Sequence, residues 1–426
     1  MRCAGSIYGV KRSHSAYRGS PCPPSPHHVP APRPHPRVFG ALAALAIGTV
    51  ALALAFGPRQ GALFLTGGAL GMALYHAAFG FTSAWRVFIL EGRGRGLRAQ
   101  MVLLAVAVLL FFPVLASGTL FGEEVRGNVS PLSTSVIVGA FMFGIGMQMG
   151  GGCASGTLFT AGGGNARMLV TLLFFIIGSV LATINFDWWV ALPSFQPVTL
   201  VSLGAPVGIA VSLALFAAIA ALTVVIEKRR NGGKLEQAPP SPRHGLQRYL
   251  RGPWPLVFGA VALAILNFVT LALAGRPWGI TSAFALWGAK AAQLVGIDPT
   301  AWAYWQMPGN ARALSESVFA DITSVMNFGI IAGAMLAAAL AGRFAPSLRI
   351  PLRSLVAAVI GGLLLGYGAR IAYGCNIGAY FSGIASGSLH GWLWAVAAFA
   401  GNIVGVKLRP FFFAERRGAV AGGDGA

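Results

Sequence analysis

Apolar runs close to the length of a bilayer crossing follow one another from residue 38 to residue 408, separated by short polar or basic breaks. A crossing helix needs about 20 mainly apolar residues. Ten runs qualify: 38–57, 61–81, 99–121, 134–162, 166–186, 204–226, 254–274, 318–342, 352–384 and 388–408. The fourth and ninth are long and interrupted by glycines. Two further apolar pieces, 82–92 and 278–297, are too short or too weak for full spans.

Composition agrees with this pattern. The 426 residues are 56% hydrophobic and 10% charged, against about 25% charged in soluble domains. A net charge of +20 suggests nucleic acid, but the Lys and Arg residues sit in tails and loops between apolar runs, which is the positive-inside pattern. The basic stretches are 1–37, 93–98, 227–251, 343–353 and 407–417. Stretch 187–203 has no Lys or Arg, and 122–128 carries Glu123, Glu124 and Arg126. Placing every basic stretch in the cytoplasm, with both termini inside, works for ten spans only if 82–92 and 278–297 are re-entrant. The expected organisation is a disordered basic, Pro-rich tail over 1–37, a first membrane half over 38–226, and a cytoplasmic linker over 227–253. A second half over 254–410 and a tail over 411–426 complete it. The first tail, with eight prolines between Pro21 and Pro36, cannot build a core and lacks the apolar stretch of a secretory signal.

The chain repeats itself. GIGMQMGGGCASGTLF at 144–159 and GYGARIAYGCNIGAYF at 366–381 share six residues at a constant offset of 222. The Cys153/Cys375 match carries the comparison, because the chain has four cysteines and the other two, Cys3 and Cys22, lie in the tail. GFTSAW at 80–85 and GITSAF at 279–284 form a second pair, inside the two re-entrant pieces. Five crossings separate the 61–81 span from its counterpart at 254–274, and an odd number inverts topology. The expected fold is therefore an all-α polytopic membrane protein of two inverted repeats, each with a re-entrant piece and a broken GCxxG helix. Such repeats with discontinuous helices place a transport site where the breaks meet.

Broken backbone at membrane depth is tolerated beside protein or a wet cavity. The half-helix after each GC points N–H groups and a positive dipole end at the centre. The hydroxyls of Thr82, Ser83, Thr281 and Ser282 can cap the other half-helices or donate to a ligand. These donors predict a small anion, and the polarizable sulfurs of Cys153 and Cys375 suit a soft, sulfur-rich one. Gly152, Gly156, Gly374 and Gly378 open the backbone, and Asn376 adjoins the second thiol. Arg370, at the position matching Gln148, is an intramembrane charge and so a functional candidate. Each feature also has a plainer explanation: close helix packing for the glycines, snorkelling for Arg370, satisfied histidines at His76 and His390, and interface aromatics at Trp302, Trp305, Trp392 and Trp394. No Cys/His spacing suggests a metal, and no cofactor is expected.

The two GCxxG breaks, and above all GYGARIAYGCNIGAYFSGIASGSLHGW at 366–392 followed by KLRP at 407–410, resemble the YeeE/YedE family of sulfur-transport membrane proteins over about 60–410. The resemblance implies thiosulfate import across a bacterial inner membrane, through constrictions where cysteines relay the anion. By motif, Cys153 and Cys375 match two of those cysteines. The family commonly places a third near Thr82, where this chain has a hydroxyl. Sulfide, sulfite, polysulfide and selenium species are related substrates. Two other readings stand beside this one: a membrane sulfurtransferase passing persulfide from Cys375 or Cys153 to a cytosolic sulfur-carrier protein, and a neutral-solute channel.

Overall fold

The computed structural model describes residues 36–413 apart from 242, 345 and 347–349. Of the stretch 1–37 expected to be disordered, residues 1–35 lie outside the described residues, as does the tail from 414 onward, while Pro36 and Arg37 open the first helix. The first half contains α1 (Pro36–Phe56), α2 (Pro58–Ala77), α3 (Phe81–Glu91), α4 (Arg95–Ser117), α5 (Thr134–Gly150), α6 (Ala154–Gly162), α7 (Ala166–Ile184), α8 (Phe186–Ala191) and α9 (Ala205–Arg230). The second contains α10 (Leu246–Arg251), α11 (Leu256–Ala274), α12 (Thr281–Leu294), α13 (Ala303–Gln306), α14 (Pro308–Ser315), α15 (Ile322–Ala341) and α16 (Leu352–Ile371). A π-helical turn (Asn376–Ser382), α17 (Gly383–Ala385) and α18 (Leu389–Phe412) follow. Among the described residues, sheet is confined to two antiparallel pairs of two-residue strands in loops.

Among the described residues ten helical segments are long and apolar enough to cross a membrane, and they coincide with the ten expected runs to within a few residues at most ends. In hydrocarbon the backbone must satisfy its own hydrogen bonds, and helices do so. The chain is a polytopic all-α membrane protein. Several boundaries move, among them the ninth, whose helix stops at Ile371 instead of running to 384. The second span stops at Ala77, where Ala78 turns left-handed, and α18 continues to Phe412, into the stretch read as tail.

The packing partners come in corresponding pairs. α16 lies on α7 as α18 lies on α5, and α15 lies on α2 as α4 lies on α11. α5 also packs on α16, and α2 on α11. Glycines let these backbones touch. Along the α2–α15 seam Gly67 and Gly68 meet Gly329 and Gly333 and Gly71 meets the backbone of Ile330 and Ala334, and along α5–α16 Gly150 meets Gly361 and Gly139 meets Gly368.

The linker is anchored by one carboxylate. Glu227, buried near the end of α9, accepts hydrogen bonds from Arg98 at 2.6 Å and the Gly94 amide at 3.0 Å. Its other oxygen accepts the Glu236 amide at 2.6 Å. Removing one member of a buried pair leaves the rest unsatisfied, although Arg98 is about a quarter exposed, which weakens the pair. Glu227→Ala is expected to cost about 2 kcal/mol, read as a lowered Tm of the detergent-solubilised protein. An unchanged Tm would remove the anchoring role.

Candidate functional site

The first break begins where α5 ends at Gly150. Gly151 takes φ 86°, a left-handed conformation open to glycine. Cys153 then sits extended at the N-cap of α6. Its carbonyl accepts the Thr157 amide at 2.8 Å and the Thr157 hydroxyl at 2.9 Å. Its sulfur lies 3.3 Å from the Ser155 hydroxyl, close to the amides of Ser155 and Gly156. A Cβ on Gly152 would stand 3.2 Å from the backbone of Gly156, so the motif's glycines let this turn close on itself.

The second break is tighter. Tyr373, at the position matching Gly151, is left-handed at φ 55° and Gly374 follows at φ 152°. A bulky residue in that region is strained. Cys375 is extended, and the next turn winds as a π-helix rather than the expected α half-helix. The Cys375 carbonyl accepts both Ala379 N at 2.8 Å and Tyr380 N at 3.3 Å. Single π turns often mark functional sites. Other elements hold this turn in place. Trp394 Nε1 donates to the Gly374 carbonyl at 3.2 Å and Asn128 Nδ2 to the Gly378 carbonyl at 2.6 Å. Ser382 donates to the Trp278 carbonyl at 2.7 Å. Asn376 is fully buried, and neither of its amide atoms has a partner. α6 touches the π turn, and the two cysteines are near enough to interact electrostatically. Cys153 and Cys375 are 1% and 0% exposed.

A cavity of about 1090 Å³ leads to the second break. Gly374, Gly378, Tyr373, Thr281, Ser282 and Arg370 line it, together with Arg59, Arg126 and Arg276. Four arginines against Glu123 and Glu124 make it attractive to anions. Arg370 is 9% exposed and hydrogen-bonds the Tyr304 hydroxyl. Its guanidinium carbon lies 5.1 Å from the Tyr304 ring centroid, its Nε has no partner, and no carboxylate pairs with it among the described residues. Arg276 donates to Thr323 at 3.1 Å, and the Ser282 hydroxyl lies 3.1 Å from the same oxygen. On the other side of the molecule a recess of about 150 Å³ is lined by Gly80, Ser83, Arg93 and Arg95.

Several expectations are corrected. The re-entrant hydroxyls do not cap. Gly80 and Ile280 hold the cap positions of α3 and α12, without a side-chain cap bond. Thr82, Ser83, Thr281 and Ser282 therefore lie within the first turns. Thr82 Oγ1 is buried and unpartnered, next to its own carbonyl's bond from Gln148 Nε2 at 3.2 Å. Ser83 folds back on the Gly80 carbonyl at 3.1 Å. Trp394 and Trp305 are core residues rather than interface aromatics; Trp305 donates to Thr183 at 3.2 Å. His390 contacts the Ser388 hydroxyl at 2.7 Å through Nδ1, but Nε2 of both His390 and His76 is buried without a partner. Among the described residues no group of His, Cys, Asp or Glu could hold a metal.

The sequence model of a family described as sulphur transport matches residues 76–404, which include both breaks, α3, α12 and all of the cavity lining but Arg59. The chain belongs to this sulphur-transport family. It is 34% identical to "Probable transporter YedE" of Escherichia coli over 164 residues, which cover 37% of this chain and 39% of that protein's length. It is 28% identical to "Thiosulfate transporter TsuA" of Spirochaeta thermophila over 352 residues, 79% of this chain and 95% of that one. "Thiosulfate transporter TsuA" of Escherichia coli is 25% identical over 349 residues, covering 79% and 91%.

In this sulphur-transport protein α6 packs against the π turn, but the side chains that support the second break escaped sequence reading. Asn128 lies 250 residues from Gly378 and Trp394 20 residues from Gly374. An asparagine in a loop and a tryptophan in a span carry no signal of such contacts. Trp394→Phe keeps the ring and removes the bond to Gly374. It is expected to lower transport about threefold to tenfold, consistent with about 1 kcal/mol for one hydrogen bond, with Tm nearly unchanged. Wild-type transport in this variant would show that the bond is dispensable.

Proposed function

We propose that this protein is a permease of a bacterial inner membrane that imports a small sulfur-containing anion, thiosulfate foremost, through a passage closed by Cys375 and Cys153. The observation that carries this reading is the pair of GC breaks meeting beneath an arginine-rich cavity, in a chain similar over most of its length to proteins named thiosulfate transporters. The paired helix packing supports two inverted repeats. With the basic stretches in the cytoplasm, both termini are inside. The cavity, lined by 123–128 and 272–282, then opens outward. Cys375 is the outer soft contact and Cys153 the inner one. Arg370, Thr281 and Ser282 receive the oxygens of the anion, and the amides after each cysteine face the sulfur-binding centre.

A sulfurtransferase fits less well. The described partner of Cys153 is the hydroxyl of Ser155, not a base, and both thiols are buried. The test is uptake of radiolabelled thiosulfate by the purified protein in liposomes. Saturable uptake that excess chloride does not suppress is the expected result. Absence of uptake, with a persulfide accumulating on either cysteine, would replace this reading with the transferase.

A further inference from the structure

The two ends of the passage are not electrically equivalent, and the inference drawn from this rests on the permease reading. Arg370 and Gln148 occupy matching positions, each five residues before its cysteine. Gln148 is fully buried and is held by its neighbours, donating to the Thr82 carbonyl and to Asn402 Oδ1 at 2.6 Å. Arg370 instead lines the cavity with no counter-ion among the described residues.

The arginines near the first break are engaged elsewhere. Arg409 donates to the Gln148 carbonyl at 2.9 Å and Arg167 to the Met149 carbonyl at 2.7 Å, and both lie over the Phe413 ring. They satisfy the carbonyl end of α5, where cations are favoured. Arg93 and Arg95 in the inner recess face Glu91 and Glu236 at 3.1 and 3.9 Å. At the matching end of α16 the final carbonyls are closed by backbone amides of residues 372–374, so the guanidinium of Arg370 remains directed at the cavity.

The partner of Arg370 is one-sided as well. Tyr304 belongs to the stretch 295–321 between α12 and α15, which contains α13 and α14; the matching connection between α3 and α4 is residues 92–94 alone. Phe186 packs edge-on against Tyr304 at 5.1 Å, and Asn310 Nδ2 donates to the Tyr304 carbonyl at 2.9 Å. The inserted stretch, through Asn310, and α8, through Phe186, thus hold in place the hydroxyl and ring that orient Arg370.

We propose that the anion-capture site is one-sided: Arg370, oriented by Tyr304, binds the anion from the cavity face, and Gln148 offers no equivalent site to an anion arriving from the opposite face. A charge-assisted hydrogen bond corresponds to about a tenfold to hundredfold change in affinity. A site cannot alter the equilibrium distribution of the anion. The ratio of maximal rate to half-saturation therefore stays equal in both directions at zero voltage, and the difference is kinetic.

The test measures half-saturating thiosulfate in right-side-out and inside-out membrane vesicles at zero membrane potential, for wild type, Arg370→Gln, Arg370→Lys and Tyr304→Phe. The expected wild-type value is at least about tenfold lower from the cavity face. Arg370→Gln should bring the ratio close to one, Arg370→Lys should keep part of it, and Tyr304→Phe should lie between. Equal half-saturation at the two faces of the wild type overturns the inference while leaving the permease reading intact. So does an Arg370→Gln variant that lowers maximal rate with the ratio preserved, which is the mark of a merely structural arginine. A wild type that moves no thiosulfate overturns the permease reading, and this inference with it.

Discussion

Cys375→Ala and Cys153→Ala should each reduce thiosulfate uptake to below about a tenth of wild type, equivalent to about 1.4 kcal/mol or more on the barrier. Each thiol sits at the first position of a broken segment with backbone amides gathered beside it. Each is also fully enclosed, so an anion passing this level has left its water. In their place it meets amide hydrogens and one polarizable sulfur with a weak S–H donor. Alanine removes the sulfur and supplies nothing in return. Folding should survive, because truncating one small buried side chain costs only about 1 kcal/mol. Cys→Ser keeps a donor but offers a harder atom, and should retain part of the activity. The measurement is growth on thiosulfate as sole sulfur source, in a host lacking its own uptake, with membrane levels of each variant checked. If both alanine variants support wild-type growth, the thiol path is wrong.

Gly333→Val should prevent the protein from accumulating in the membrane. Gly333 lies on the backbone of Gly68, and Gly329 lies on Gly67 and Phe64 O, so the α2–α15 seam is backbone against backbone. An added side chain would meet carbonyl and Cα atoms that cannot rotate away. Overpacking of well-packed sites costs about 1–3 kcal/mol, and a seam with no movable side chain should lie at or above the top of that range. Gly40→Ala is the control, since nothing lies within 4 Å of a Cβ there. It should be neutral, or stabilising by up to about 1 kcal/mol through helix propensity. Equal membrane levels and Tm for the two variants would mean that the seam is not closed in the membrane.

What could be read from the residues alone divides along a physical line. The ten crossings follow from solvent, because an apolar run of sufficient length has few alternatives to a helix in hydrocarbon. The pairing of Cys153 with Cys375 was legible because duplication leaves a constant offset, and rare residues stand out against abundant glycine. Capping was misjudged because residue type alone does not decide it. The chain enters α3 after Gly80 and α12 after Ile280, so the hydroxyls that follow fall one to three positions too late. Tyr304, Asn128 and Trp394 act through contacts made across the fold, and no local pattern announces them. Trp394 was assigned to the interface because tryptophans in spans often lie there, but its N–H reaches a buried carbonyl instead.

The depth of the cavity has an electrical consequence. Water and ions filling about 1090 Å³ carry the potential of their own side inward to Gly374 and Gly378. On the proposed permease reading, the membrane voltage then falls mainly across the stretch closed at the two cysteines, not across the full thickness of the bilayer. Moving a charge through the whole field involves about 2.3 kcal/mol per 100 mV. A divalent anion drawn inward against an inside-negative potential meets nearly all of that opposing work within the thiol-lined neck. On the same permease reading, Cys153 and Cys375 therefore also set how steeply the flux responds to voltage.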